Sequence, residues 1–261
     1  MRFVTFHVQT EAAHPHLRID HAHYLQLLEL MVRSVRRFHS AASVTVLTDA
    51  VTDLSALRVP VSREVHPVDA GALMLSRARA QWAHLQRHGL PEPLLFLDTD
   101  MLVNADLSTL PAIHAFDVAL TVREHRQMPI NGGFLLLNNA DPPRGLGFFQ
   151  RYLRAFEHQA HDAGRAAWYG DQHALAAAVA SETDARLLML PCARYNHTPG
   201  NRIRKMRRPR HDTAVLHFKG DRKRLMPIYW YAHLAGLPPV LGLSGWALRT
   251  LVARIQRRLR V

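Results

Sequence analysis

Two carboxylates, one residue apart, follow a run of bulky apolar residues. The run is Leu94–Leu97, and Asp98, Thr99 and Asp100 come directly after it. Such a run is typical of a strand that is buried on both faces of a sheet. Burying an unpaired charge is costly, so two carboxylates at a strand end indicate a cation between them. Mg²⁺ and Mn²⁺ bind carboxylate oxygens and often share them with a substrate phosphate, which points to nucleotide or phosphate chemistry.

Strand-like and helix-like segments alternate along the chain. The predicted strands are Phe3–Val8, Val44–Thr48, Leu94–Leu97, Val118–Val122, Gly133–Leu137, Arg186–Leu190 and Ala214–Phe218. The predicted helices are Tyr24–Phe38, Leu73–His88, Leu146–Gln159 and Asp171–Ala180. This alternation predicts an α/β fold with helices on both faces of the sheet. Ligands bind beyond the carboxyl ends of the strands in such sheets, where Asp98 and Asp100 are expected.

Local signals refine some of these segments. Apolar residues recur on one face of the first helix, which predicts that this face packs on the sheet. They are Leu27, Leu28, Met31, Val35 and Phe38. Gly89 is expected to end the second helix, and Asp171 to cap the start of the fourth. The segment Pro191–Asp212 reads as one long loop, and loops of that length are often functional.

The composition limits the class of protein. The chain has 261 residues, 48% of them apolar, and a single cysteine, Cys192, which excludes an internal disulfide and a cysteine-based zinc site. No apolar run approaches the roughly 20 residues that cross a bilayer, and the first residues lack the pattern of a signal peptide. We therefore expect a cytoplasmic protein.

Four motifs follow one another in order, and together they are specific. After Asp98-Thr99-Asp100 come Asn131-Gly132-Gly133 at the start of an apolar strand, Gly170-Asp171-Gln172 at the start of a helix, and His217-Phe218-Lys219-Gly220 with Lys223. The set resembles nucleotide-sugar glycosyltransferases of the GT-A fold, and most closely glycosyltransferase family 8. The resemblance covers about residues 73 to 223. It implies a Rossmann-like, mixed and mostly parallel sheet within one domain, residues 1–240.

The resemblance implies a metal-dependent hexosyl transfer from a nucleoside diphosphate sugar. Asp98, Asp100 and His217 would hold Mn²⁺ or Mg²⁺ on the donor diphosphate, with Thr99 beside it. One imidazole among oxygen ligands favours Mn²⁺. Gly220 would allow the backbone close to the diphosphate, and Lys223 would supply a positive charge.

Further residues are assigned to the sugar by the same resemblance. Asn131 and Gly132 would face the donor sugar, and Arg77 would contact the donor. Asp171 and Gln172 would lie beside the anomeric carbon, positioning the sugar and stabilising the transition state. The family retains the anomeric configuration. UDP is the nucleotide implied, although the residues after the first strand, His7 to Glu11, do not match a uracil-binding pattern.

Basic residues are concentrated in the last quarter of the chain. The formal net charge is +12, and clusters occur at 202–210, 219–224 and 249–260. The first cluster is a solvated loop, a lid over the anionic donor, or a contact for an acidic acceptor. Residues 241–261 read as a separate basic amphipathic helix that either packs on the domain or attaches to the inner face of an anionic membrane. The acceptor would then be a glycan or glycolipid.

Other readings of the same residues stay open. The Asp pair could form only a strand-end turn, Asp171 could be only a helix cap, and His217 could be a core histidine. A haloacid dehalogenase-type phosphohydrolase shares the strand and Asp pair but needs downstream motifs in another order. A nucleic-acid-binding protein would fit the pI of about 10.9, but no recognised binding motif is present, so we expect no nucleic-acid partner. A pseudoenzyme that binds a nucleotide sugar without transferring it is the third alternative.

Overall fold

The fold is built on one seven-stranded sheet. A computed structural model describes residues 1–9, 20–159, 169–181, 184–201, 209 and 211–235. The strands of the main sheet are β1 (Arg2–Phe6), β2 (Val44–Thr48), β3 (Ser62–Val65), β4 (Leu94–Leu97), β6 (Val118–Val122), β7 (Ile130–Leu137) and β8 (Leu187–Pro191). Their order is β3-β2-β1-β4-β7-β6-β8. Strand β7 runs antiparallel to both of its neighbours and the other pairings are parallel, which confirms the mixed, mostly parallel sheet.

A short antiparallel ribbon lies apart from the main sheet. It pairs β5 (Met101–Val103) with β9 (Val215–His217). The strand before the Asp pair ends at Leu97 as predicted, and the apolar residues after the pair, Met101–Val103, leave the main sheet for this ribbon. The two Asp residues therefore lie at a junction between two sheets.

Helices cover both faces of the main sheet, as predicted. They are α1 (His21–Phe38), α2 (Leu73–His88), α3 (Thr109–Ile113), α4 (Pro142–Gln159), α5 (Gly170–Ala180), α6 (Cys192–Tyr195) and α7 (Met226–Tyr229), with short helical turns at Ala70–Ala72, Gly220–Leu225 and Trp230–Leu234. One apolar cluster joins α1, β5 and β9 to the first face, and a second joins α2, α4 and α5 to the other. Each fully buried Leu or Phe in these clusters contributes about 1.5–3 kcal/mol relative to exposure.

The helix bounds differ from expectation mainly at the N-termini. Helix α1 begins three residues early, because the Asp20 carboxylate accepts a hydrogen bond from the His23 amide and caps it. Helix α2 has the predicted bounds and ends before Gly89, which has a φ of 58°. The expected cap at Asp171 is wrong: α5 begins at Gly170, after Tyr169, and Asp171 lies in its first turn.

The expected long loop Pro191–Asp212 is also wrong in part. Pro191 ends β8, and α6 follows at once, so the start of the segment is tied to the sheet. Residues 202–208 and 210 of the basic cluster lie outside the described residues, as does the predicted C-terminal helix 241–261. Within the described ranges, no helix is both long and apolar enough to cross a membrane.

A buried carboxylate joins the edge strand β8 to β6. Asp117 is fully buried and accepts hydrogen bonds from the Arg186 backbone amide at 2.7 Å, Nε at 3.1 Å and Nη2 at 2.7 Å. These Arg186 bonds outweigh burial and hold the pKa of the Asp117 carboxyl below its ordinary value.

We expect Asp117→Asn to lower the melting temperature at neutral pH, because an amide nitrogen would then face the Arg186 donors. The folded pKa of Asp117 is depressed, so its contribution is present above the unfolded pKa of about 4 and is lost as the pH falls. The difference from the parent should therefore narrow below about pH 4. Thermal melts across a pH series check this, with exposed Asp184→Asn as the control; a gap that widens in acid would contradict it.

Candidate metal and donor site

The pairing of β5 with β9 brings His217 to the Asp pair. Met101 lies opposite His217 in the ribbon, and the Phe218 amide donates to the Asp100 carbonyl at 2.9 Å. Asp98 is held from the other side, because its amide donates to the carbonyl of Gly133 on β7 at 3.1 Å. The local backbone therefore fixes all the residues that the sequence assigned to a metal.

Asp98, Asp100 and His217 form a cluster suited to a cation. Their candidate ligand atoms all lie within 4.8 Å of one another. His217 Nε2 is 3.2 Å from Asp100 Oδ1 and 3.8 Å from Asp98 Oδ2. Asp100 and His217 are nearly buried, whereas the Asp98 side chain is 29% exposed. The cluster thus opens toward solvent at Asp98, which leaves room for a shared ligand.

Gly133 shapes the wall of this cluster. A Cβ atom at this position would lie 2.7 Å from Asp98 Oδ2 and 2.8 Å from His217 Cε1. Both distances are shorter than any ordinary contact. Glycine is therefore required here for the carboxylate and the imidazole to approach the strand.

Lys223 neutralises Asp100. Its Nζ lies 2.8 Å from Asp100 Oδ2, and it is 6.0 Å from the centre of the Tyr24 ring. Burial alone would raise the pKa of the Asp100 carboxyl, but Lys223 and His217 hold it far below its usual value. Asp100 is thus ionised at neutral pH, which is the form that binds a metal. The lysine predicted to contact a diphosphate lies directly behind the predicted metal ligand.

Arg77 joins two of the predicted site residues. Its Nη1 donates to Asp98 Oδ1 at 2.7 Å and its Nη2 to Asp171 Oδ2 at 2.6 Å. Burial raises the pKa of the Asp171 carboxyl, and the guanidinium opposes that shift. A Cβ at Gly132 would lie 2.5 Å from Asp171 Oδ2, so Gly132 leaves the space that this carboxylate occupies.

Asn196 fixes the orientation of His217. The Gly133 amide donates to Asn131 Oδ1, which also receives a bond from Asn196 Nδ2 at 2.8 Å. The remaining side-chain atom of Asn196 is therefore its oxygen, and it lies 2.9 Å from His217 Nδ1. Nδ1 therefore carries a hydrogen, which leaves Nε2 as the ring nitrogen that faces Asp98 and Asp100.

No pattern in the sequence indicated this role for Asn196. Asn131, predicted to face the sugar, uses its side-chain oxygen inside the same network and is 4% exposed. Its predicted contact with the sugar stays a prediction.

Arg123 is a further site residue that the sequence did not reveal. Its Nη2 donates to Gln172 Oε1 at 2.9 Å, and its Nε to the Met128 carbonyl at 2.9 Å. The guanidinium therefore fixes the orientation of the Gln172 amide. The sequence feature that could have identified Arg123 is its position directly after the predicted strand β6.

The remaining predicted residues lie nearby in the chain and fold. Thr99 is nearly buried between the two Asp residues. Gly220 has a φ of 58°, a conformation that favours glycine, and begins the helical turn that carries Lys223. Tyr169, just before Asp171, has a φ of 63°, and such strained residues often occur at functional sites.

Solved structures with a similar fold are glycosyltransferases. One is a glycosyltransferase involved in glycosylation of the major capsid of PBCV-1, with 13% identity, 86% of this chain and 98% of that chain covered, and a TM-score of 0.52. GlyE of Streptococcus pneumoniae TIGR4 has 15% identity and a TM-score of 0.57, and the match covers 95% of this chain and 63% of that chain. The galactosyltransferase LgtC, solved with donor and acceptor sugar analogues, has 14% identity and a TM-score of 0.51. The match covers 83% of this chain and 86% of that chain.

These likenesses define the fold class. No protein-family model and no curated protein matches the sequence. The chain has the GT-A fold and resembles glycosyltransferases that include a member of family 8. Identities this low establish the shared fold, and the chemistry must be argued from the site itself.

We expect Gly133→Ala to weaken Mn²⁺ binding at the Asp98 cluster, because its Cβ displaces a carboxylate and an imidazole. The loss should be at least about tenfold, comparable with disturbing an outer-shell partner. Gly147→Ala is the matched control, since a Cβ there meets only the tip of Arg151 at 4.0 Å. Isothermal titration measures the Mn²⁺ affinity of both variants. Equal affinities would contradict the role of Gly133 in making space for Asp98 and His217.

We expect Asn196→Ala to lower Mn²⁺ affinity by about 10–100-fold, because His217 loses the acceptor that sets its orientation. The variant can also lose stability, since Asn196 is buried. A melt establishes that it is folded, and NMR of the His217 ring then reports the tautomer. An unchanged ring signal with unchanged affinity would show that Asn196 does not position the imidazole.

Proposed function

We propose that this chain is a metal-dependent glycosyltransferase. It would transfer a hexose from a nucleoside diphosphate sugar, by resemblance a UDP-sugar, to a glycan or glycolipid acceptor with retention of configuration. The observation that carries the proposal is the cluster formed by Asp98 and Asp100 after β4 with His217 at the end of β9, in a GT-A fold. The bond from the anomeric carbon to the diphosphate oxygen breaks, the acceptor oxygen bonds that carbon, and the acceptor proton leaves with the diphosphate.

The residues of the cluster fit a divalent ion. Two carboxylates and an imidazole whose Nε2 faces them are a suitable donor set, and Gly133 leaves space for them. The imidazole favours Mn²⁺ over Mg²⁺. When bound, the ion would offset negative charge on the departing diphosphate as a Lewis acid.

Basic residues beside the cluster suit the diphosphate. Lys223 lies behind Asp100, and a cation bound at the Asp pair would weaken its attraction to that carboxylate and free it for the phosphate. The left-handed Gly220 lets the backbone approach without a side chain in the way. Half-buried Lys219 adds a second positive charge, and burial lowers its pKa.

Asp171 and Gln172 suit the positioning of the sugar. Asp171 is buried and bonded to Arg77, so its carboxylate is restrained rather than free to attack the anomeric carbon. Its position beside Gly132 supports a contact with the sugar hydroxyls. Gln172 is oriented by Arg123, so its amide could face a developing positive charge at the anomeric centre.

Rings at the carboxyl end of β1 suit a nucleobase. His7 stacks on His21 with 5.4 Å between ring centres, and the Tyr24 ring lies 6.2 Å from His7. Burial lowers the pKa of His7 to about 4, so this ring is neutral at physiological pH. A neutral aromatic surface can pack against a base, although these rings do not specify which one.

The acceptor side stays less defined. Residues 202–208 and 210 of the basic cluster and residues 241–261 lie outside the described residues. Membrane attachment, location in the cytoplasm and a lid over the donor stay predictions. The same holds for the division at residue 240. Hexose identity and linkage depend on pocket contacts that the fold does not encode.

The decisive experiment combines binding and turnover. We expect the parent protein to show a Mn²⁺-dependent rise in melting temperature with one nucleoside diphosphate, and to release that nucleotide slowly from its sugar conjugate. Ligands that bind only the folded state raise the melting temperature. Asp98→Asn should lose both effects, and its partly exposed side chain favours a folded variant. Asp184→Asn, exposed and remote in sequence, is the control.

Each outcome has a distinct meaning. A metal-dependent shift without release from any sugar nucleotide, even with added glycan acceptors, would favour a pseudoenzyme. If Asp98→Asn and the parent show equal rises in melting temperature, the nucleotide binds without a metal at the Asp98 cluster. If UDP, GDP and CMP all fail to bind in the presence of Mn²⁺ or Mg²⁺, the glycosyltransferase proposal is wrong.

A further inference from the structure

A second group of metal-binding side chains lies at the edge of the sheet, away from the Asp98 cluster. Glu64 on β3 and His84 and His88 on α2 place candidate ligand atoms within 4.8 Å of one another. His66 follows β3 and lies against the same carboxylate. We call these four residues the edge cluster.

The sequence spacing explains how the edge cluster forms. His84 and His88 are four residues apart on a helix, so they lie on the same face, one turn apart. Glu64 and His66 are two residues apart in an extended segment, so both side chains point to the same side. The His66 amide continues the strand pairing by donating to the Thr48 carbonyl at 2.7 Å.

The burial pattern of β3 is the reverse of an ordinary edge strand. Glu64 is 8% exposed and is the buried residue of the strand, whereas the neighbouring Val65 is 48% exposed. An edge strand that packs on a helix normally turns its valine inward and its glutamate outward. Conflicts of this kind between local pattern and burial often mark functional sites.

The distances suit a small ion that prefers nitrogen ligands. Glu64 Oε2 lies 2.8 Å from His84 Nδ1 and 3.1 Å from His88 Nε2. Ligands at about 2.0–2.1 Å in a tetrahedral zinc site lie roughly 3.3 Å apart, so only small shifts would admit the ion. Two imidazoles and a carboxylate are also a common zinc ligand set.

His66 supplies an independent observation. Its side chain is 5% exposed, and its Nε2 lies 3.2 Å from Glu64 Oε1. This nitrogen forms no hydrogen bond with any residue in the described part of the chain. The geometry to Glu64 falls short of a hydrogen bond although the two atoms are close, and a metal ion at this carboxylate would change what the buried nitrogen faces.

The simpler alternative is a hydrogen-bonded network around Glu64. Arg87 Nη1 lies 3.2 Å from Glu64 Oε1 and already balances its charge. That arginine side chain is 60% exposed, so the ion pair is a surface contact that contributes little. It also occupies Oε1, and Oε2 is the oxygen shared by His84 and His88.

We propose that the edge cluster binds a divalent transition-metal ion of the zinc type, with Glu64, His84 and His88 as ligands and His66 beside the Glu64 carboxylate. The ion would join β3 to the C-terminal half of α2. Arg77 lies on the same helix seven residues before His84, about 10 Å along its axis. A structural ion here would therefore brace the helix that orients Arg77 between Asp98 and Asp171.

The test measures zinc binding directly, in untagged protein stripped with a chelator. Because zinc can also bind the Asp98 cluster, Asp98→Asn serves as the background in which to titrate zinc against a chromophoric chelator. We expect zinc to bind this chain and to raise its melting temperature. Adding His88→Gln, whose side chain is 41% exposed, should lower zinc affinity by more than the ~10–100-fold that an outer-shell change costs.

The control is His114→Gln in the same background, since His114 is an exposed histidine on another element. It should leave zinc affinity unchanged. X-ray absorption of the zinc-loaded chain should show imidazole scattering that His88→Gln and His84→Gln each reduce. If zinc does not bind, or if it binds equally well to the His88→Gln chain, the edge cluster is only a hydrogen-bonded network.

Discussion

The site depends on compensating three carboxylates that lie close together at one edge of the sheet. Asp98, Asp100 and Asp171 would repel one another if they were left alone in a poorly hydrated region. Arg77 bridges two of them and Lys223 pairs with the third, at distances of 2.6–2.8 Å. Apart from these pairs, His217 and the exposed side of Asp98 remain, and the proposed cation would bind there. The pairs stabilise the fold, and under the proposed function a metal and an anionic donor would rearrange them.

The geometry of this compensation comes from the backbone rather than from the side chains alone. The β5–β9 ribbon holds His217 beside Asp100, and the β4–β7 pairing holds Gly133 beside Asp98. A chain of hydrogen bonds then links the Gly133 backbone amide to the imidazole of His217. It runs through the side-chain amides of Asn131 and Asn196. A local change on β7 would thus affect Asp98 and His217 by contact and by hydrogen bonding.

The elements marked by local sequence signals were predictable, and the features that depend on residues distant in the sequence were not. β4 and α2 have the predicted bounds because a buried apolar run and a helix ending at glycine are local signals. The cap at Asp171 was wrong because its carboxylate meets Arg77, which lies far away in the chain. Asn196 and Arg123 act through tertiary hydrogen bonds, which have no local pattern. Strand β3 was missed because its inward residue is a glutamate, which breaks the apolar alternation that signals a strand.

Helix α2 connects the two clusters of charged residues. Its first half directs Arg77 into the carboxylates at the strand ends, and its second half directs His84 and His88 to Glu64 on the sheet edge. Both ends are therefore held by polar contacts as well as by the apolar cluster shared with α4 and α5. Apolar packing alone tolerates small slides of a helix, whereas bonds at both ends resist translation and rotation. Since Arg77 contacts two carboxylates at once, a helix fixed at its far end limits the conformations in which Arg77 loses one of them.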